Sequence, residues 1–332
     1  MTVGIALPAH LGGEEDQMRI GYFLSSEEFS PAELLDQARG AERAGFEALW
    51  ISDHYHPWND AQGQSSFVWS MLGALSQVCR LPVTTAVTCP TIRLHPAIVA
   101  QAAATSAVLH EGRFILGVGS GEALNEHILG DAWPPAEVRL EMLEEAVEVM
   151  RKLWTGRFVN HRGRHYTVEQ ARIYTLETPP PIYVSGFGRK SAALAGRIGD
   201  GYLCTIPDPD LVQRFRGSGG GSKPCQAGFK AAFADSADEG ARIAYERWPN
   251  EGIPGELSQV LPSPRHFEQA SQLVGPETMK EVFVCGNDPT AHLAMIEKYA
   301  RAGFDEVYVA NIGPNHQGLF DLYARDVLPR VR

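Results

Sequence analysis

Short apolar runs alternate with stretches of helical period along the chain from Met18 onward. Arg19-Ile20-Gly21-Tyr22-Phe23 is the first such run and reads as a strand. Ser30-Pro31-Ala32-Glu33 then forms a capping box with Pro at the first helical position. Leu34, Leu35, Ala38, Ala41 and Ala44 recur at helical spacing, and Gly45 stops the helix. Residues 48–51 are too few and too apolar for anything but a buried strand. The unit repeats, with helices predicted over 67–75 and 98–109 and strands over 82–88 and 114–118. A longer helix carries Leu140, Leu143, Ala146, Val147, Met150, Leu153 and Trp154 on one stripe and ends near Gly156. Strands follow at 182–184, 202–204, 226–233 and 306–309, with helices at 191–198, 237–248 and 318–328. Eight strands alternating with helices predict a parallel sheet closed into an α/β barrel, the (β/α)8 TIM architecture; an open doubly wound sheet is the competing topology.

Two stretches break the rhythm. Residues 156–180 read as a hairpin-like insertion ending in a run of Pro, and residues 249–281 carry several Pro and a short helix around 267–273. Such insertions commonly lie over the active-site end of a barrel. The glycine-rich segment 216–222 reads as a flexible loop inside one barrel domain spanning 18–332. Residues 1–17 lack a basic n-region and a long apolar core, so they make a poor signal peptide; Met18 reads as the natural start and 1–17 as a mobile extension.

Composition narrows the function classes. Forty acidic against 29 basic residues leave a formal charge of −11 with no Lys/Arg cluster, which argues against nucleic acid or an anionic membrane as partner. No apolar run approaches the roughly 20 residues that span a bilayer. Cys79, Cys89, Cys204, Cys225 and Cys285 form no CxxC, which suits a reducing cytoplasm better than a disulfide framework or a zinc site.

Four clusters sit just after predicted strands, where barrel enzymes keep their chemistry. In Ser52-Asp53-His54-Tyr55-His56-Pro57-Trp58 a carboxylate adjoins an imidazole with an indole four residues on, a set able to hold an aromatic ligand and move a proton. Asp53 capping the next turn is the bland alternative. His54 and His56 lack a third ligand, so no metal is expected. Ala86-Val87-Thr88-Cys89-Pro90-Thr91 suits a backbone wall against a flat ligand, or an ordinary strand end; nothing marks Cys89 as a nucleophile. Gly117-Val118-Gly119-Ser120-Gly121-Glu122-Ala123-Leu124-Asn125-Glu126 is not GxGxxG, because Glu122 takes the last Gly position and would repel a pyrophosphate. It leaves Glu122 as an acid–base candidate or a helix cap, and Asn125 as an amide donor or acceptor. Ser185-Gly186-Phe187-Gly188-Arg189-Lys190-Ser191 feeds a helix N-terminus with cations and a hydroxyl beside it, a natural anion seat or a simple cap.

Together, SDHYHPW at 52–58, GSGEALNE at 119–126 and GRIGDGY at 196–202 resemble the luciferase-like superfamily that uses coenzyme F420, and within it the F420-dependent glucose-6-phosphate dehydrogenase family. The resemblance covers nearly everything from Met18 onward. It implies a bacterial-luciferase-like barrel, and His54 as the base taking a substrate hydroxyl proton while hydride leaves the carbinol carbon. It implies that Glu122 protonates or hydrogen-bonds the deazaflavin and that Trp58 packs on the reacting centre. Asp53, Cys89, Ser120, Gly121 and Asn125 would contact the coenzyme ring and ribityl chain. Phe187, Gly188, Lys190 and Ser191 would seat its phosphate, with Ser185 and Gly186 also binding the coenzyme. Ala86-Val87 would be a non-prolyl cis peptide forming a wall, and the protein would be a homodimer. Cys89 departs from the Thr of the family's sugar-phosphate enzymes. The two Lys and one Arg that hold the sugar phosphate there align with Pro207 or Asp208, Gln269 and Glu281 here. A dianion needs cations or amide donors, so a small, non-phosphorylated alcohol, carbonyl or activated alkene is expected instead of glucose 6-phosphate. An FMN-dependent monooxygenase or flavin reductase and a non-catalytic F420-binding protein are the rival readings.

Overall fold

The computed structural model describes residues 18–331; the expected mobile extension over 1–17 lies outside the described residues. The strands are β1 (Arg19–Leu24), β2 (Leu49–Ile51), β3 (Val83–Thr85), β4 (Phe114–Val118), β5 (Val159–Arg162), β6 (Thr167–Ala171), β7 (Ile182–Ser185), β8 (Gly201–Cys204), β9 (Cys225–Ala232), β10 (Val284–Cys285) and β11 (Glu306–Asn311). Among the described residues, β1, β2, β3, β4, β7, β8, β9 and β11 pair in parallel in that order, and β11 returns to β1. The sheet is therefore the closed eight-stranded barrel that the alternating pattern predicts. Ile, Val and Leu on the outer face pack against helices such as Pro31–Ala44, Pro96–Leu109 and Ala136–Leu153.

The interior is filled from its lower end by aromatics that face glycines. Trp50 stacks on Tyr308 with centroids 4.6 Å apart and planes 11° from parallel, and Phe23 meets Trp50 edge-on at 5.6 Å. A Cβ on Gly228 would stand 2.4 Å from the Trp50 ring, one on Gly21 2.3 Å from Tyr308, and one on Gly201 2.6 Å from Tyr183. The polar tips are answered in the same layer. Trp50 Nε1 donates to Gln226 Oε1 (2.9 Å), Gln226 Nε2 donates to Glu306 Oε2 (3.0 Å), and the Tyr308 hydroxyl donates to the same oxygen (2.7 Å). Arg19 pairs with the other Glu306 oxygen at 3.1 Å. Buried polar groups satisfied in this way cost little. The plug lies toward the strand starts, so the chemistry is left to the strand ends.

Both interruptions of the rhythm are structured. β5 and β6 form an antiparallel hairpin, docked on Glu145, whose carboxylate accepts the N–H groups of Arg164, His165 and Tyr166 at 2.9–3.1 Å. The Tyr166 hydroxyl donates to Thr91 O at 2.9 Å, tying the hairpin to the loop after β3. Trp248, Ile253, Phe267, Val274, Met279 and Phe283 form a second apolar cluster with Leu124 and Ile312. Phe267 also meets Trp58 edge-on at 5.0 Å, so the second insertion packs across the mouth of the barrel.

Several expectations need correction. Segment 216–222 is read as a flexible loop, whereas Arg216–Gly220 is a turn that leaves helical backbone at Ser218 and Gly219 and is seated on the helix Arg189–Ile198. Close approach uses two of its glycines and one of the helix: a Cβ on Gly220 would lie 2.6 Å and one on Gly196 2.4 Å from Phe215 O, and one on Gly219 3.1 Å from Gly196 O. The short helix of the second insertion runs Pro264–Ser271, starting earlier than its apolar residues suggest. The terminal helix is His316–Leu322, continued by a wide turn at Tyr323–Val327 and by Leu328–Val331. The β3 ladder stops at Thr85 and resumes through a single bridge from Thr88 to Val118. Helix Pro289–Ala302 went unread although its signals were present, an Asp288 cap, Pro289 at the first position and a left-handed Gly303.

Replacing Gly228 with Ala should destabilise the protein by about 1–3 kcal/mol, because Trp50 has nowhere to retreat inside the plug. Urea unfolding of the variant checks this, and an unchanged midpoint would refute it.

Candidate active site

The loops following β1, β2, β3 and β4 converge on one mouth. His54, three residues past β2, is held by its Nδ1–H donating to the carbonyl of His56 at 3.2 Å. A carbonyl only accepts, so the neutral ring carries its proton on Nδ1 and leaves the Nε2 lone pair free. Nε2 lies 3.5 Å from Glu122 Oε1 and 3.5 Å from Glu27 Oε1. The Trp58 ring stands 5.0 Å from the imidazole, tilted by 57°.

Glu122 occupies the capping position of the short helix Ala123–Glu126 but makes no side-chain cap; its carboxylate turns toward His54 instead. Asn125 sets it there. Asn125 Nδ2 donates to Glu122 Oε1 at 2.5 Å, while its Oδ1 accepts the N–H groups of Tyr55 and His56 at 2.8 and 3.0 Å. One buried amide thus ties the β2 loop to the β4 loop. His56 adds a second tie through Nδ1–H to Leu124 O at 3.0 Å. Among the described residues no group of three or more His, Cys, Asp or Glu side chains is placed to hold a metal.

Asp53 does not cap a turn. Its oxygens accept from Thr88 Oγ1 (2.8 Å) and Arg93 Nη2 (2.9 Å), and it is buried. Cys89 lies beneath Gly121, where a Cβ would come within 2.6 Å of its Sγ; burial, with Glu126 nearby, pushes its thiol well above the usual range. That environment leaves Cys89 inert at neutral pH. The Ala86–Val87 peptide is cis, as the resemblance implies. A Cβ on Gly119 would stand 2.7 Å from Val87 Cγ2, so the ends of β3 and β4 pack closely on one another, with half-buried Ser120 at their edge.

The Ser185–Ser191 segment is a tight turn after β7. The Tyr202 hydroxyl donates to Gly186 O at 2.5 Å, and Ser191 Oγ accepts from Gly188 N at 3.1 Å. A Cβ on Gly186 would strike Ser191 at 2.7 Å. Phe187 is half exposed, and Lys190 reaches Glu137 at 2.8 Å in an exposed pair of little energetic weight.

Glu27, Glu28 and Arg93 were missed in the sequence. Ser25-Ser26-Glu27-Glu28 is a polar run immediately after an apolar strand, the same signal that marks the other clusters. Glu27 is fixed by the Ser52 hydroxyl at 2.7 Å. Glu28 accepts from Trp248 Nε1 (2.7 Å) and Gly313 N (2.9 Å), binding the β1 loop to the residue that leads into the second insertion and to the loop after β11; burial raises its carboxyl pKa. Glu126, the last residue of the GSGEALNE motif, is buried beside Arg93, and burial pushes its carboxyl up to about 7 although Arg93 pulls it down.

Acid–base side chains gathered at the strand ends of a closed parallel barrel define a barrel enzyme. The chain belongs to the luciferase-like monooxygenase family, whose model matches residues 1–218. Two curated relatives are F420-dependent glucose-6-phosphate dehydrogenases. The one from Segniliparus rotundus is 32% identical, aligned over 95% of this chain and 98% of its own. The one from Microbacterium testaceum is 33% identical, again over 95% and 98%. Among solved structures, an F420-dependent secondary alcohol dehydrogenase in complex with an F420-acetone adduct superposes with a TM-score of 0.88 at 32% identity, over 95% of this chain and 99% of that one.

The raised Glu126 carboxyl makes stability pH-dependent. The folded protein binds this proton more tightly than the unfolded chain, whose carboxyl titrates near the ordinary 4.5. The contribution is complete below that value and is lost as pH rises through 7, amounting to about 3 kcal/mol. Between pH 5 and pH 8 the wild type should therefore lose more stability than Glu126→Gln, and parallel stability curves would refute it.

Proposed function

We propose that the protein is an F420-dependent oxidoreductase that moves hydride between the deazaflavin and the carbinol carbon of a small, non-phosphorylated alcohol, or back to the matching carbonyl. The observation that carries this reading is His54 Nε2, turned away from the Nδ1–His56 hydrogen bond and 3.5 Å from the carboxylates of two other loops. The F420-dependent class rests on the relatives and on the superposed alcohol dehydrogenase. The cis Ala86–Val87 peptide, the close-packed glycines at 119 and 121 beside it and the tight turn at Ser185–Ser191 support a site for a flat ring with a phosphorylated side chain.

Bound F420 supplies a ring face that accepts or returns hydride. His54 Nε2 takes the hydroxyl proton as the carbon–hydrogen bond breaks, and the resulting imidazolium sits between the Glu27 and Glu122 carboxylates. Glu122, steadied by Asn125, is the group that holds or gives a proton on the coenzyme side. Trp58 packs over the reacting carbon, and the apolar cluster around Trp248, Phe267 and Phe283 keeps water from the mouth.

Charge supports a non-phosphorylated substrate. At the positions aligned with phosphate-binding cations, Asp208 caps Asp210 N at 2.9 Å, Gln269 is exposed and neutral, and Glu281 is an exposed carboxylate. Lys280 beside it is already paired with Asp238 and Glu277. A dianion approaching His54 would also meet Glu27. An apolar secondary alcohol meets none of these costs. The same reading makes the protein a homodimer of a reducing cytoplasm. Free thiols at all five cysteines support the compartment, and exposed Phe67, just before the helix Val68–Leu75, with exposed Ile98 and Leu109 on the helix Pro96–Leu109, supports the dimer. Among the described residues no helix is long and apolar enough to cross a membrane.

The test is a fluorescence titration with F420 against FMN, followed by a panel of secondary alcohols, ketones and glucose 6-phosphate. F420 should bind and be reduced by alcohols but not by the sugar phosphate; efficient turnover of glucose 6-phosphate would overturn the substrate assignment. His54→Ala should lower kcat by about 10²–10⁴ while F420 affinity changes little, and equal losses in both would assign His54 to binding.

A further inference from the structure

We propose that Arg93 is a positioning residue of the catalytic mouth, clamping Asp53 and Glu126 so that the His54 and Glu122 loops keep their working separation. The proposal rests on the roles of His54 and Glu122 given above.

Three loops meet at this guanidinium. Arg93 Nη2 donates to Asp53 Oδ1 at 2.9 Å, Nε lies 3.5 Å from Glu126 Oε1, and the Arg93 backbone N–H donates to Glu126 Oε2 at 2.8 Å. Asp53 immediately precedes His54, and the Glu126 N–H closes the turn that begins at Glu122 O, at 3.3 Å. Thr88, from the β3 loop, holds the remaining Asp53 oxygen at 2.8 Å. The side chains of Arg93, Asp53 and Glu126 are 6%, 0% and 1% exposed.

A buried charge group of this kind is weak evidence for stability, since packed hydrophobes often do as well. Its geometry is the better account of it. The backbone between Glu122 and Glu126 has little slack: a Cβ on Gly121 would lie 2.6 Å from Cys89 Sγ and 3.0 Å from Glu126 Cγ, and Gly121 is itself left-handed at φ +74°. Releasing Glu126 therefore moves Glu122, and releasing Asp53 moves His54. Neither Arg93 nor Glu126 need touch a reacting atom for the chemistry to depend on them. Displacements of about 1 Å among reacting groups can cost ~10²-fold in rate.

The test compares Arg93→Gln, Arg93→Lys, Glu126→Ala and Glu126→Gln in the full chain. F420 affinity is read by fluorescence, kcat with the best alcohol of the panel, and the His54–Glu122 separation in a crystal structure of each folded variant. Arg93→Gln and Glu126→Ala should lower kcat by about tenfold or more while F420 affinity stays within about threefold. Arg93→Lys keeps the charge and Glu126→Gln keeps the acceptor for Arg93 N, so each should recover most of that loss. The separation should open in Arg93→Gln and Glu126→Ala. If Arg93→Gln fails to fold, Glu126→Ala and Glu126→Gln decide. The clamp is overturned by kcat within about twofold of wild type, by equal losses in kcat and affinity, or by an unchanged separation. A wild type that neither binds F420 nor oxidises an alcohol rejects the functional reading instead, and the crystallographic separation then judges the clamp alone.

Discussion

The parallel pairing of β8 with β9 closes the sheet, and the site follows from that closure. An open sheet would spread its strand ends along a line, with β2 and β9 far apart. Closed, it brings the ends of β1, β2, β3, β4 and β7 around one axis, so that residues far apart in the chain can meet. Closure demands an interior filled to close-packed density. Trp50, Tyr308 and Tyr183 do this only because glycines stand opposite them. The plug sits toward the strand starts, and the opposite end is left for loops whose positions need not serve packing.

Within that mouth, the loops are held by hydrogen bonds more than by apolar contact. Asn125 joins the β2 and β4 loops, Arg93 joins both to the β3 loop, and Ser52 fixes Glu27. Each tie uses a buried polar group whose partners are supplied by a different strand end. Such a network is costly when half made and rigid when complete. It leaves Nε2 of His54 beside the Glu27 and Glu122 carboxylates, while the Arg93 guanidinium pairs on the far side with Asp53 and Glu126. This division of charge lets the His54 imidazole with its two carboxylates and a buried ion pair coexist within a few residues.

Much of this was legible in advance, and the reasons are local. Strands such as Phe114–Val118 and helices such as Pro31–Ala44 declare themselves through apolar period, caps and glycine stops, which depend on neighbours in sequence. Polar residues at strand ends marked His54 and Glu122. The same signal at Ser25–Glu28 was available and passed over. Arg93 was not recoverable in this way. It lies in a loop with no motif, and its meaning comes from Asp53 and Glu126, 40 and 33 positions away. The glycines of segment 216–222 misled for a related reason: composition cannot separate a glycine that is loose from one pressed against a carbonyl.

By itself, the order of residues determined the alternation of strands and helices, the exclusion of a spanning apolar segment, and which side chains stand ready at strand ends. These are properties of period and residue type over a few turns of chain. Tertiary structure alone decided that the sheet closes, that the second insertion folds over the mouth, and that Glu27 joins Glu122 beside the imidazole. It also decided that Asn125 and Asp53 spend their polar atoms on protein groups. Those outcomes rest on distances between segments dozens to hundreds of residues apart, set by packing and burial, and no local pattern encodes them.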